Sequence, residues 1–458
     1  MQIYNSLSKK IEEIRPIKKN QIGLYTCGPT VYNFAHVGNL RTYIFEDVLK
    51  RVLIFNGYKV KHVMNITDVG HLTSDQDEGE DKLEKGAIRE QKSIQEIIKF
   101  YTSAFLNDLK KLNIKKADKI PYASKHTKEI ITMIKILEAK GFTYDTPEAI
   151  YFDVSKFPNY YKLSGQKLEE KMTGARTGVV KDSYKKHPAD FALWFKIVGK
   201  FKNHILHWPS RWGEGFPGWH IECSAMSRKY LGQPFDIHVG GIDHLPVHHT
   251  NEIAQSEAAF GVPLANYWMH GEFLLLNDSK MAKSEGGFLT LAEIIKNKFN
   301  SLALRYLTLT SHYRSKLNFT FESLHSAQNA LNNLYTEISG LKLTKTPDRQ
   351  FLDKFLNSLN NDLNTPQAVA LIWDLIRSKN LNTLATLFRF DEVLGLDLKN
   401  IWTKSQKEIK KIKLLIAKYS KARKNKDYKT SDALRKNISN KGFIIEDSVT
   451  GTIIKKKF

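Results

Sequence analysis

Residues 21–66 read QIGLYTCGPTVYNFAHVGNLRTYIFEDVLKRVLIFNGYKVKHVMNI, and the order of signals within them decides the fold. Ile22 to Cys27 is a short apolar run closed by Gly28-Pro29, which predicts a buried strand entering a loop. From Asn39 the period changes: Leu40, Ile44, Val48 and Val52 recur every four residues along one helix face, and Asn56-Gly57 ends the helix. Val60 to Ile66 then predicts a second strand. Strand, loop, helix, strand is a βαβ unit, so the first domain is expected to be a parallel α/β sheet with its ligand at the carboxyl ends of the strands.

Upstream of this unit, Met1 to Asn20 is polar and charged, and no stretch of the chain resembles a transmembrane span or a secretory signal. Downstream, the acidic, Gly-containing segment Asp75 to Asp81 reads as a mobile loop, and residues 95–140 read as helical. Residues 141–200 change to an aromatic, short-strand character (Tyr144, Tyr151, Phe152, Tyr160, Tyr161) and read as an insertion. The Gly/Pro/Trp-rich stretch Trp208 to Trp219 predicts a return to α/β patterning, with Phe235 to Val239 a strand and Asn251 to Phe260 a helix. After about residue 313 the chain is helical with short connections, and Asn425 to Phe458 closes it as a small mixed unit.

With 458 residues, 41% of them apolar, the chain exceeds one ordinary hydrophobic core and several domains are expected. Lys and Arg total 70 against 48 Asp and Glu, a net charge of +22, and a large polyanion is the natural partner of such a surface. Clusters such as Lys410, Lys411 and Lys413, or Lys455 to Lys457, can equally be solvated faces. The two cysteines, Cys27 and Cys223, make no disulfide framework and are free thiols, metal ligands or nucleophiles. These features lead us to expect a soluble, cytoplasmic protein.

His36-Val37-Gly38-Asn39 lies between the first strand and its helix, where backbone N–H groups and the helix dipole favour an anion. Gly38 permits close approach of a nucleotide, and His36 can donate to a phosphate as charge develops on it. Far downstream, Lys280-Met281-Ala282-Lys283-Ser284 follows a strand, Phe273 to Leu276, and a turn at Asn277-Asp278. Two lysines in a Gly-flanked loop suit a clamp on a triphosphate, although two exposed surface lysines are the commoner meaning of such a pair alone. In this order and separation, the two segments resemble the HIGH and KMSKS signatures of class I aminoacyl-tRNA synthetases. The resemblance implies that ATP and an amino acid form an aminoacyl-adenylate with release of pyrophosphate, after which the amino acid passes to the terminal ribose of a tRNA. His36, Asn39, Lys280 and Lys283 are then the catalytic candidates, and Gly38 joins them at the ATP.

Cys27 ends the first strand, Cys223 lies in Pro217-Gly218-Trp219-His220-Ile221-Glu222-Cys223-Ser224, and His248 and Glu252 stand four apart at the start of a helix. Two thiolates, an imidazole and a carboxylate make a tetrahedral zinc set, with His249 or His244 open as alternatives to His248. Tyr25 to Tyr32, Asn65-Ile66-Thr67-Asp68, Pro217 to Ser224, Gly240-Gly241-Ile242-Asp243 and His248 to Glu252 closely resemble the cysteinyl-tRNA synthetases. That resemblance implies one Zn²⁺ held by Cys27, Cys223, His248 and Glu252; a pocket for cysteine and its adenylate lined by Thr67, Trp219 and His238; and Asp243 at the adenosine ribose. It also implies ATP with Mg²⁺, L-cysteine and a cysteine tRNA as partners, no membrane, and a monomer.

The resemblance extends over nearly the whole chain, including Asp190 to Trp194 and Lys196 at the end of the insertion, and Lys426-Asp427-Tyr428 and Ser431 to Arg435 in the region it assigns to anticodon binding. Ala282 stands where the second signature usually has Ser, which removes about 1 kcal/mol of hydrogen bonding while keeping both lysines, and Thr250 stands where the family often has Glu. Two alternatives predict different things. A ligase joining cysteine to an amino-sugar lacks the full anticodon module, and a non-catalytic tRNA-binding protein has decayed ATP motifs. The expected architecture is a Rossmann-type parallel-sheet catalytic core (1–120 and 201–260) interrupted by a connective insertion (121–200). A stem-contact region carrying the second signature (261–312), an α-helical bundle (313–400) and a small C-terminal anticodon-binding unit (401–458) follow.

Overall fold

The computed structural model describes residues 1–72, 79–165, 184–276, 279–280, 288–448 and 451–458. A hairpin, β1 (Gln2–Asn5) with β2 (Lys10–Glu13), precedes the decisive unit, which forms as β3 (Gln21–Thr26), α1 (Val37–Phe55) and β4 (Lys59–Met64). Helices α2 (Lys82–Glu90), α3 (Ile94–Lys111) and α4 (Thr127–Ala139) follow. Asp81, the last residue of the acidic segment, caps α2 by accepting from Leu83 and Glu84 N–H; residues 75–78 of that segment lie outside the described residues.

The insertion is a five-stranded antiparallel sheet, β5 (Thr143–Asp145), β6 (Ala149–Phe152), β7 (Phe191–Lys196), β8 (Trp208–Ser210) and β9 (Gly213–Pro217), in the order β5-β6-β7-β9-β8. The Trp208 to Trp219 stretch therefore does not return the chain to the parallel core. Its β8–β9 hairpin completes the antiparallel sheet, because Phe216 is fully buried against Phe195 and Phe201 at 5.0 and 5.2 Å.

The core resumes with α5 (Trp219–Leu231), β10 (Phe235–Gly241), α6 (Thr250–Phe260) and β11 (Ala265–Gly271). The central sheet is entirely parallel, in the order β11-β10-β3-β4, so it extends past the boundary expected at 260. Trp268 and Met269 on β11 are buried, which is why this segment belongs to the sheet. Between β3 and β10 the connections run to opposite sides, which opens a crevice at the strand ends.

A three-stranded sheet of β12 (Leu274–Leu276), β13 (Ser279–Lys280) and β14 (Leu317–Phe319) accompanies α7 (Leu291–Lys296) and α8 (Ser301–Leu309). The bundle comprises α9 (Phe321–Ser339), α10 (Arg349–Asn360), α11 (Thr365–Arg377), α12 (Thr383–Leu394) and α13 (Leu398–Lys411). The C-terminal unit is α14 (Lys413–Lys424), α15 (Tyr428–Asn440) and the hairpin β15 (Phe443–Ser448) with β16 (Gly451–Lys456) around Ile412, Tyr419, Ile438, Phe443 and Ile454. It docks on α9, where Lys455 pairs with Glu337 at 2.9 Å. Among the described residues no helix is long and apolar enough to cross a membrane.

α1 is buried on all sides, not on one stripe. Leu40, Ile44, Leu49, Val52 and Leu53 are fully buried, each contributing about 1.5–3 kcal/mol, and the opposite face meets the bundle through charge. Asp47 Oδ2 accepts from Arg51 Nε at 2.7 Å and Arg305 Nη2 at 2.6 Å, while Oδ1 accepts from Lys115 N–H at 2.8 Å. Arg305 also donates to the Leu394 and Leu112 carbonyls at 2.6 and 3.0 Å, at the ends of α12 and α3, where unpaired C=O groups favour a cation. This cluster locks α1 and its sheet to the helical bundle.

Candidate active site

The crevice is a cavity of about 370 Å³ built from the segments that follow β3, β4 and β10, together with the first turn of α5. Gly28 N–H donates to Asn65 Oδ1 at 2.9 Å, and a Cβ at Gly28 would lie 1.7 Å from the Asn65 carbonyl oxygen, so only glycine lets the two loops meet. Thr67 N–H donates to the Pro29 carbonyl at 3.1 Å and its own carbonyl accepts from Val31 N–H, which zips the β3 and β4 loops together under the cavity.

Cys27, Cys223, His248 and Glu252 converge there, one donor atom from each lying within 4.8 Å of all the others, and all four are buried. Cys223 follows Trp219 by one helical turn on α5, so both face the cavity. His248 lies in a widened π-type turn, Leu245–His249, that runs into α6, and Glu252 follows one turn later. A second overlapping set, Cys27, His238, His249 and Glu252, meets the same distance criterion.

The charges follow from the packing. Burial opposes ionisation of Glu252, but His238 and His248 outweigh it and hold the carboxyl at about 2. Burial likewise opposes the Cys223 thiolate, yet the thiol of Cys27 and the imidazole of His248 bring it down to about 6, while burial and Cys223 drive Cys27 upward. His248 rises to about 10 against its burial because Glu252 and Cys223 face it. A metal entering this set would therefore displace protons from His248 and Cys27. Glu252 Oε1 is buried without a hydrogen bond although His248 Nε2 stands 3.0 Å away, and both residues belong to the same donor set.

At the start of α1, His36 caps the helix. Its Nδ1 accepts from Asn39 N–H at 3.1 Å, so in the neutral ring the proton is on Nε2, and Asn39 Oδ1 accepts from His36 N–H at 3.3 Å. Burial lowers the His36 pKa despite nearby Asp243, which keeps the ring a neutral donor. His36, Asn39 and Asp243 line the cavity, and Gly38 sits between the first two in the opening turn of α1.

The segment bearing the second signature is anchored at both ends. Arg41 of α1 donates to the Glu272 and Phe273 carbonyls at 2.9 and 2.5 Å, Lys280 lies in β13 opposite Leu275, and Leu289 accepts from Val37 N–H at 2.9 Å. Ala282 and Lys283 lie outside the described residues. Thr250 is buried and donates to the Leu245 carbonyl at 2.8 Å.

Thr67 and Trp219 line the cavity. His238 does not: it is fully buried on β10 between Tyr25 and Trp268 of the flanking strands, and its Nε2 meets Glu252 Oε2 at 3.0 Å. Its contact with Glu252 makes it a neighbour of the donor set beneath the cavity. Among the cavity residues that escape sequence reasoning are His71 and Lys82. His71 stacks on Trp219 at 3.9 Å, its Nε2 accepts from Lys82, and its Nδ1 accordingly donates to Thr30 Oγ1 at 2.5 Å. They come from loops with no spacing signature, and only their adjacency to Thr67 and to a capping Asp offered a clue.

A parallel sheet with a crevice at its switch point, a capping His in the first βα turn and a second lysine segment tied back onto it define a class I aminoacyl-tRNA synthetase. Residues 13–329 match the family described as tRNA synthetases class I (C) catalytic domain, and residues 354–422 match the DALR domain. The chain is 43% identical over 492 residues to the cysteine–tRNA ligase of Treponema denticola, covering 100% of this chain and 99% of that protein. It is 46% identical over 454 residues to cysteine–tRNA ligase 1 of Burkholderia lata, covering 98% and 95%. The chain belongs to the cysteine–tRNA ligase family. The fold agrees with the methionyl-tRNA synthetase of Mycobacterium tuberculosis solved with methionyl-adenylate, at a TM-score of 0.55 and 14% identity over 82% of this chain and 90% of that one. Full-length agreement and the DALR domain exclude the amino-sugar ligase, and the enzyme activates cysteine with ATP, releases pyrophosphate and transfers the amino acid to tRNA.

Proposed function

We propose that one Zn²⁺, held by Cys27, Cys223, His248 and Glu252, selects cysteine in this site. The convergence of four buried donor atoms of metal-binding chemistry within 4.8 Å carries the reading. Zinc binds thiolate far better than an alcohol, which is what it would supply: a choice of cysteine over serine without a separate hydrolytic site. Two sulfurs make the first donor set the better zinc site. His238 and His249 then serve as outer partners that orient Glu252 and Cys27, with His249 Nε2 3.3 Å from the Cys27 sulfur.

The chain's own groups divide the remaining work. Thr67 and Trp219 bound the amino-acid end of the cavity. His36 donates Nε2–H to the phosphates, where negative charge grows as the carboxylate attacks, and the backbone N–H groups of Gly38 and Asn39 add the helix dipole. Lys280 and Lys283 offset the charge of the departing pyrophosphate, to which Mg²⁺ would add further neutralisation when bound, and Asp243 accepts from the ribose. The DALR domain and the C-terminal unit carry the anticodon end of a cysteine tRNA. The enzyme works as a monomer in the cytoplasm, where its substrates are.

Metal analysis and cysteine-dependent exchange of labelled pyrophosphate into ATP test this together. Native protein should carry one zinc per chain and exchange with cysteine but not serine. Zinc-stripped protein that still prefers cysteine by a large factor would refute the metal's role.

A further inference from the structure

Where the cavity opens beside α2 and α3, its rim carries an aromatic cluster that the chemistry described above leaves unused. Phe34 lines the cavity two residues before His36, yet 38% of it is exposed, and Phe100 on α3 is 44% exposed. Their rings meet edge to face at 5.8 Å, and buried Tyr101 backs Phe34 at 5.0 Å. Tyr101 is itself fixed: its hydroxyl donates to Glu90 and accepts from Arg89 Nη2 at 3.2 Å. The ring pair is thus supported from behind while its outer surfaces face solvent.

Cations flank it. Lys92 Nζ lies 4.8 Å from the centre of the Phe100 ring, and Arg89 donates to the Tyr32 carbonyl at 3.1 Å, next to the loop that carries Phe34. Both side chains are more than 40% exposed, and Glu90 neutralises one of the two charges. Exposed aromatic faces beside a residual positive charge are what a single-stranded nucleic acid uses, its bases stacking while its phosphates meet the cations.

The occupant follows from continuity with the cavity. The terminal ribose of the tRNA must reach the site that Phe34 lines, so the nucleotides before it leave over the rim. We propose that Phe34 and Phe100 form a stacking platform for a base of the single-stranded 3′ end of the tRNA, with Lys92 and Arg89 facing the adjoining phosphate. The assignment rests on this cavity being where the amino acid is transferred, and it is independent of the metal.

Phe100→Ala tests it, because Phe100 is outside the cavity lining and the pyrophosphate exchange reaction uses no tRNA. Exchange should persist while the KM for tRNA in charging rises about tenfold, the order expected for losing one base–aromatic stack. Phe100→Trp should restore it. A tRNA transcript carrying 2-aminopurine in its 3′ single strand should show fluorescence quenching on binding wild-type protein, and the quenching should weaken with Phe100→Ala. This signal requires neither zinc nor ATP, so it stays readable if the metal assignment fails. Unchanged KM and unchanged quenching in Phe100→Ala would overturn the platform, as would loss of exchange together with charging.

Discussion

Asp47 is one carboxylate facing two guanidinium groups in a site with no exposure, which makes Asp47→Ala a sharp test of what joins the catalytic sheet to the bundle. The substitution deletes the acceptor of three hydrogen bonds and leaves Arg51 and Arg305 with helix-end carbonyls and the nearby carboxyl of Asp391. Removing one member of a buried ion pair costs about 3–5 kcal/mol, because the surviving charge keeps its desolvation penalty. That is a fifth or more of the roughly 5–15 kcal/mol that holds a domain folded. The unfolding midpoint followed by circular dichroism should fall by about 5 °C or more. Asp47→Leu combined with Arg305→Met, which removes charge on both sides, should recover part of the loss. The Asp47 pKa lies below its ordinary value: burial alone would raise it, and the two arginines more than reverse that. Because the folded value is depressed, this contribution is complete above the unfolded value near 4 and is lost as pH falls through the folded one. A midpoint for Asp47→Ala within about 1 °C of wild type at pH 7 would refute the reasoning.

Cys223→Ser should raise the dissociation constant for cysteine by more than the 10–100-fold that follows loss of an outer metal partner, with ATP binding nearly unchanged by calorimetry. Parallel loss of both affinities would instead indicate a collapsed cavity. Lys283→Ala should slow adenylate formation about 10²-fold or more in single-turnover measurements, and an unchanged rate removes this lysine from the mechanism. Lys421, Lys424 and Lys426 are exposed around the end of α14, and changing all three to Glu should weaken tRNA binding and flatten its dependence on salt while pyrophosphate exchange continues. A salt dependence identical to wild type would place the tRNA elsewhere.

The βαβ unit was legible because Ile22 to Cys27 and the Leu40, Ile44, Val48 and Val52 stripe obey strand and helix periods independently of their surroundings. The rest of α1 was not, since Asp47 and Arg51 look like an exposed polar face until Arg305, far away in sequence, comes to cover them. The β8–β9 hairpin reads locally like any Gly-Pro-Trp loop, and only long-range packing of Phe216 assigns it to the insertion. His248 and Glu252 announced themselves by helical spacing, whereas His238 carried no cue to whether it faces the cavity or the ligands behind it. His71 and Lys82 depend on loop geometry that propensity does not encode.

Cys27 and Cys223 are the only two thiols in 458 residues, and both are buried in the proposed metal site. The site therefore has a built-in stoichiometric reporter. A thiol-reactive dye has no background targets, so labelling of the native protein measures how well the centre is shielded, and labelling after unfolding in the presence of a chelator sets the full scale. Occupancy, leakage and oxidative damage of the selecting centre can be followed in one cuvette, without engineering a single residue.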